Sequence, residues 1–500
     1  MARDPQAALI ALNRFGFGAR GGASGDFINA ASDPRGFVLA ELQRPAAALI
    51  ESPALQSTSV LASELFAFQI EEKQKREAAA KAVPPASVMV ASKADSAAAA
   101  NMAAQQKMSG AVTDKAPPPL ANSRPPKPAP NVIERTFRAE ALARIQRASL
   151  AECGFLERLV TFWSNHFCIS ASKGQPARIW AGAFEREAIR PHVLGRFADM
   201  LKAVEQHPAM LFFLDNQQSI GPNSRAGQRS KRGLNENLAR EIMELHTLGV
   251  GGGYTQGDVT ALAKVLTGWT YAGRQGRLGE PGSFIFNANA HEPGSIVLLG
   301  KSYADNNAAQ GEAALADIAR RPATAKFIAT KLVRHFVADD PPPALVARLA
   351  DVFTKTDGDL RAVSHALADA DDAWRAPMAK MRSPYEFLIA TGRLMAQIPE
   401  DPGRYLYGLN VLGQPLWAPA GPNGFADTNA AWAAPEGMKL RLDIAAQVAS
   451  RIGDNRDPRE MLDLIAAGAA SPETRQTIAR AESRQQAFAL LLMSPEFQRR

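Results

Sequence analysis

Apolar residues recur along most of this chain at spacings of three and four, the period of one buried helix face. That pattern predicts helices at about 5–14, 34–43, 54–77, 132–147, 177–189 and 192–206. It predicts others near 309–320, 322–337, 342–355, 359–370, 383–397, 438–452, 456–467 and 473–492. Pro191, Pro322 and Pro343 mark breaks or starts, since proline fixes φ and carries no N–H. Ser149-Leu150-Ala151-Glu152 has the form of a capping box, opening a helix on which Phe155, Leu159, Phe162 and His166 make one inward stripe. Strand-like runs are confined to Phe284-Ile285-Phe286 and Ile296-Val297-Leu298-Leu299, expected to pair around a loop carrying His291. The expected fold class is mainly α: a multi-helix globular array with one small β-hairpin and a long disordered insertion.

The densest polar cluster lies on one predicted helix, Asn235 to Gly249. Asn235 is its expected N-cap, Leu238, Ile242 and Leu245 its buried face, and Gly249 its left-handed end; a second helix should begin at Thr255. Asn237, Glu241 and Glu244 then share a face, so two carboxylates stand side by side. They either serve as an acid/base or metal-binding pair, or are ordinary surface charges with Arg240 and Glu244 joined as an i, i+4 ion pair. On an α-helix His246 is turned about 140° from Glu241 and about 200° from Glu244, too far for all three to face one ion. Metalloprotease and di-iron helices place their ligands at i, i+4 or i, i+3 instead.

Further candidates are spread along the chain. His166 points where three apolar residues point, as a core histidine or as a group on a pocket floor, with Asn165 beside it. Asp215 and Asn216 end a short helix that starts at His207-Pro208. His291 sits on a loop, where side chains are freer to act. Trp417 lies in the Gly-, Pro- and Asn-rich stretch 403–435, a length typical of lids and binding walls. The candidate catalytic set is therefore Glu241, Glu244, His246, Asn237 and Arg240. The candidate substrate-binding set is Asn165, His166, Asp215, Asn216, His291 and Trp417. A divalent metal such as zinc, iron or manganese is the cofactor that His and carboxylate groups of this kind suit, with its ligands left open. No Gly-x-Ser-x-Gly elbow and no Walker loop occurs.

Charge changes the picture only locally. The net charge is +7, but 73–131 alone holds nine Lys or Arg against three Asp or Glu, so a nucleic-acid role loses its main support. The same segment is rich in Ala, Pro, Ser and Lys and poor in aromatic residues, and cannot bury enough surface to offset its ordering entropy. Three parts are expected: 1–76 as an N-terminal helical portion, 77–131 as a disordered insertion, and 132–500 as the main body of the same domain. Cys153 and Cys168, about 22 Å apart along a helix, are expected to be free thiols. No apolar run is long enough for a membrane span, and Ala8 to Leu12 is too short for a secretory signal, which favours a cytoplasmic location.

Asn235 through Val250, followed by Gly252-Gly253-Tyr254-Thr255 and Leu266-Thr267-Gly268-Trp269, resembles the bacterial family catalogued as domain of unknown function 1800. Phe162-Trp163-Ser164-Asn165-His166-Phe167, His207-Pro208-Ala209-Met210 with Leu214-Asp215-Asn216, Leu412-Gly413-Gln414-Pro415 and the opening Leu12 to Gly18 follow the same family's order. The resemblance implies a mostly helical bacterial protein and carries no catalytic residues with it. It also implies a sulfatase-like partner encoded nearby, and export in many members. Two functions remain open. A hydrolase-like enzyme, metal-assisted or not, would bring Glu241, Glu244 and at least one of His166, His246 and His291 to one cavity. A non-catalytic binding or scaffold protein would pair them off in the core and present 403–435 as an exposed apolar surface.

Overall fold

The computed structural model describes residues 4–82, 129–229, 233–453 and 456–500; most of the expected insertion and Arg232 lie outside them. The chain divides into two compact units, Met1–Phe66 with Val132–Arg500, and Ala67–Asn131. Of the second, mainly the outer run of the helix Thr58–Ala82 is described. That helix passes its predicted end at 77, because Ala78, Ala79 and Ala80 are strong helix formers. Among the described residues no helix is long and apolar enough to cross a membrane.

The first unit is built from paired helices. Pro322–Phe336 packs on Pro343–Lys355, Val132–Leu150 on Gln175–Phe184, and Pro435–Ala449 on Arg484–Met493. The helix Phe155–His166 is buried nearly all round, as befits one running through the middle of a core. Phe155 meets Phe15 and Phe336 edge-on, each at 5.5 Å, and Trp163 stacks on Phe167 at 5.8 Å.

Its start corrects the expected capping box. Ser149 and Leu150 still belong to the preceding helix, and the new one begins after Gly154, in the left-handed region at φ 94°. The cap comes from far away in sequence. The buried Glu41 carboxylate accepts from the N–H groups of Cys153, Gly154 and Leu156 at 3.0, 2.9 and 3.1 Å. Three donors and the helix dipole thus hold one anion. Glu152, the residue expected to do this, is exposed and pairs with Arg44.

The β structure is also paired differently. Both predicted strands form, but not with each other. β1 (Trp269–Tyr271) runs antiparallel to β2 (Phe284–Phe286), and β3 (Ile296–Leu298) to β4 (Lys301–Tyr303). Leu299 at φ 52° and Gly300 at φ 81° form the two-residue turn joining β3 to β4, with the paired positive φ values that suit strand twist. The stretch 403–435 opens with a helix, Gly403–Val411, and contains a short one, Asn429–Trp432. Cys153 and Cys168 are buried free thiols.

Arginines run through the interior. Arg14, Arg158, Arg190, Arg382, Arg393, Arg441 and Arg500 are all fully buried. Arg393 donates to the carbonyls of Gly18, Ala148, Ser149, Ala151 and Glu152, tying two helix ends to the N-terminal turn. Arg158 and Arg500 hold Glu386 at 3.1 and 2.8 Å.

Two predictions follow from these contacts. Glu41→Ala is expected to lower the unfolding free energy by about 3 kcal/mol, because three buried donors lose a charged acceptor. Glu152→Ala should cost less than about 1 kcal/mol, as exposed ion pairs do. Urea titration of both variants decides it; equal losses would place the cap at Glu152 after all. For Glu386, burial works against its charge, but Arg158, Arg500 and His335 outweigh it and hold the carboxyl at about 2. Its folded value lies below the unfolded one. The stability is therefore present above about pH 4.5 and lost as pH falls toward 2, on the order of 3 kcal/mol. Unfolding curves between pH 7 and pH 2 should steepen across that window, and Glu386→Gln should flatten them; an equally steep fall in the variant would assign it to other groups.

Candidate functional site

The central helix is shorter than its pattern predicts. Asn235 Oδ1 accepts from the Asn237 N–H at 2.9 Å, and α-helix runs only from Asn237 to Glu241. Ile242–His246 is a wide π-turn, in which each backbone bond spans five residues. Thr247 Oγ1 closes it on the Ile242 carbonyl at 2.5 Å, and the Gly249 N–H reaches Met243 O at 3.1 Å. Gly249 is required twice over: φ is +80°, and a Cβ would stand 2.5 Å from the Phe327 ring.

The widened turn alters which side chains align. With bonds from i to i+5, the turn no longer advances by the α-helical angle, so the separations expected for His246 on a regular helix do not hold. Arg240 does not pair with Glu244; it reaches Glu236 at 3.2 Å and Gln256 at 3.0 Å. Glu241 and Glu244 are half-buried, and neither makes a hydrogen bond or ion pair with a described residue. Burial raises the Glu241 carboxyl above its ordinary value, and Glu244 adds to the rise while His246 opposes it. Asn237 is exposed.

His166, His246 and His291 are buried, and none of them lines the cavity between Asn165 and Trp417. His246 is fully buried, and its Nδ1 lies 2.8 Å from Glu205 Oε1 on the helix Phe197–Gln206. His166 Nε2 donates to the His246 carbonyl at 3.0 Å, with the two rings 6.2 Å apart. His291, expected to be free on its loop, is buried against Phe286, with Nδ1 donating to Thr267 O at 2.8 Å. Asp215 sits at φ 58° and pairs with Lys173 at 2.7 Å. Asn216 is buried and ties Leu266 O to Trp269 O.

Asn165 and Trp417, by contrast, meet at one cavity. Its volume is about 50 Å³, enough for a small polar group, and Cys168, Tyr385, Gln414 and Phe425 share its walls. The Asn165 amide clamps Phe425 by accepting from its N–H at 2.8 Å and donating to its carbonyl at 2.9 Å. Trp417, strained at φ +50°, donates from Nε1 to Glu185 Oε2 at 3.0 Å while Arg144 covers its ring. The Tyr385 hydroxyl is buried and has no hydrogen-bond partner. The 403–435 stretch thus supplies cavity wall, with its tryptophan turned inward.

Two residues outside the candidate sets complete the neighbourhood. Lys331, half-buried on Pro322–Phe336, makes no hydrogen bond or ion pair with a described residue, and its ammonium lies 5.5 Å from the Phe327 ring centre. Burial pulls it down to about 8, against the opposing pull of Cys168 and Asp427. Cys168 is pushed by burial to about 12, while Lys331 lowers it and Glu241 raises it. Cys168 therefore stands within electrostatic reach of both. Nothing in the helical spacing around Lys331 separates it from a surface lysine. Among the described residues no three His, Cys, Asp or Glu side chains gather closely enough to hold a metal ion.

Residues 10–499 match the family described as protein of unknown function, DUF1800. The chain belongs to the DUF1800 family. Neither a curated protein nor a solved structure matched it. In this DUF1800 protein the landmark segments meet in space. Asn216 binds Leu266 and Trp269, His166 binds His246, and Gln414 Oε1 accepts from the Tyr385 N–H at the cavity that Asn165 lines.

Lys331 gives this site a direct check. Competitive acetylation, read by mass spectrometry across pH, should show Lys331 reacting with a midpoint near pH 8, against about 10.4 for solvated lysines. A midpoint shared with the exposed lysines would mean that its ammonium is fully hydrated.

Proposed function

We propose that this DUF1800 chain is a hydrolase-like enzyme working by acid/base chemistry at the mouth of the Asn165, Cys168 and Trp417 cavity. The observation that carries the reading is Glu241: a half-buried carboxyl, raised by burial and by Glu244, that makes no hydrogen bond or ion pair with a described residue. Lys331 is its complement, an amine lowered toward neutrality that likewise makes no hydrogen bond or ion pair with a described residue. Environments that push an acid up and a base down, both acting on one thiol, are how acid and base roles are divided at neutral pH. In a hydrolysis, Glu241 would give its proton to the leaving group while neutral Lys331 takes one from the attacking water. The cavity would receive the polar end of the substrate, facing the free Tyr385 hydroxyl. No step is routed through a metal, since no three His, Cys, Asp or Glu side chains gather among the described residues.

Full burial of His166, His246 and His291 favours the second reading, a non-catalytic binding or scaffold protein acting beside a sulfatase-like partner. One experiment separates the two. Chromogenic ester, amide, phosphate and glycoside substrates are offered to the purified protein and to Glu241→Gln. Turnover of one class, reduced about 100-fold or more in the variant, is expected of general acid/base catalysis. Absence of turnover in every class by folded protein would leave the scaffold reading.

A further inference from the structure

The outer wall of the cavity is one segment laid along another. Read in opposite directions, 417–425 and 165–171 meet at four positions. The Ala171 N–H donates to Trp417 O at 2.7 Å, and Ser170 Oγ to Pro419 O at 2.7 Å. The Cys168 thiol donates to Pro422 O at 3.2 Å and to Gly421 O at 3.6 Å. Asn165 completes the series with both halves of its amide on Phe425. Both segments contribute walls to the cavity that lies between them.

The segment is held firmly at its ends and lightly in between. At one end the Trp417 indole donates to Glu185 and lies against the Arg144 guanidinium, and the backbone there is strained at φ +50°. At the other, Asp427 is gripped by His335, Arg500 and Lys380. Between these anchors, from Ala418 to Ala426, Pro419 alone is buried. Little apolar surface therefore resists lifting, and the segment is kept down by a short series of polar bonds, the thiol being the weakest donor among them. The closed position also demands a glycine where Asn165 grips: Gly424 sits at φ +73°, and a Cβ there would stand 2.5 Å from Asn165 O.

We propose that 418–426 is a lid over the cavity, hinged at Trp417 and Asp427, with Asn165 as its latch. Lifting it breaks the bonds to Asn165 and Cys168, opens the cavity to solvent and uncovers the thiol. Closing it restores those bonds and shuts water out, as lids over reaction sites do. The proposal rests on this cavity being where the polar end of the substrate is received, and it adds control of entry at that site. Cys168 reports on the lid directly. When the lid is closed, the thiol is buried and its pKa is pushed up to about 12, so it is unreactive. Cys153, fully buried elsewhere in the core with its thiol on Ala11 O, is exposed only when the whole unit unfolds.

The test needs no substrate and so stands or falls separately from the hydrolase reading. The full chain is treated with iodoacetamide in native buffer, and alkylation of Cys168 and Cys153 is followed by peptide mass spectrometry. The quantity read is the ratio of the two rates, which cancels any change in global stability. It is expected to exceed one in the unaltered chain and to hold in urea below the unfolding transition, as local opening does. Asn165→Ala removes two hydrogen bonds from the latch and should raise the ratio about tenfold. Gly424→Ala should raise it as well, by forcing the lid away from Asn165. If Asn165→Ala loosens the whole unit, Cys153 registers it, and Gly424→Ala, altered outside the core, decides. A ratio near one in every protein, or one that neither variant raises, overturns the proposal and makes the segment a fixed wall.

Discussion

The fold depends on burying arginine. A guanidinium inside a protein must find acceptors for a fixed fork of donors, and here the terminal nitrogens find them on segments far apart in sequence, while Nε of Arg14, Arg158 and Arg382 has no hydrogen-bond partner among the described residues. Arg14 donates to the carbonyls of Ala373, Ala376 and Pro377, Arg382 to Asn13 and Phe17, and Arg190 to Glu157 and Ala48. These bonds fix where helices stop, since most of their acceptors are the orphan carbonyls of helix ends and turns. Losing one partner of a buried pair strands a charge at a cost of about 3–5 kcal/mol, which makes the arrangement specific even where its net contribution is small.

The same constraint shapes the backbone. Besides the central turn, π-turns occur at Ala11–Phe15 and Glu185–Ile189. The first sends Asn13 and Arg14 into the core, and the second sends Glu185 toward Arg144, Arg190 and Trp417. The third sends His246 toward Glu205. In each, one extra residue in the turn re-aims polar side chains that a regular helix would have spread around its surface. The loop after Trp417 is fastened by the same means. Asp427 is held well below the usual carboxylate range, despite burial, by His335, Arg500 and Lys380, and Lys380 bonds its carbonyl at 3.0 Å. The wall of the cavity is therefore anchored to the charged core at Asp427 and to Asn165 at Phe425.

For the chemistry, the consequence is a separation of roles that residue types alone do not reveal. His166, His246 and His291, which invite a catalytic reading, are held in the interior with one nitrogen bound and the other without a hydrogen-bond partner among the described residues. The ionisable ends that make no hydrogen bond or ion pair with a described residue are those of a glutamate and a lysine, both acting electrostatically on the Cys168 thiol, which bonds the carbonyls of Gly421 and Pro422. Environment decides this: partial burial moves Glu241 and Lys331 toward neutrality, whereas full burial among aromatic rings keeps His166 uncharged.

The sequence by itself determined the mainly helical class, most helix spans and the free thiols. It also determined the helix start at Thr255 and the left-handed end at Gly249. All of these rest on periodicity or on chemistry within a few residues. The membership implied by the ordered landmarks was legible too, because long motifs in series are specific. Asn165 and Trp417 were legible as candidates, though not as neighbours. Only the tertiary structure decided that Glu41 caps the helix at Phe155, that the two strand runs take other partners, and that the central helix widens before His246. It alone placed Lys331, Cys168, Tyr385 and Glu205 around the candidates. The reason is physical: a helical period is written within four residues, whereas a cap, a pKa or a cavity is set by atoms that sequence separation does not order, such as Glu41 and Leu156, 115 residues apart.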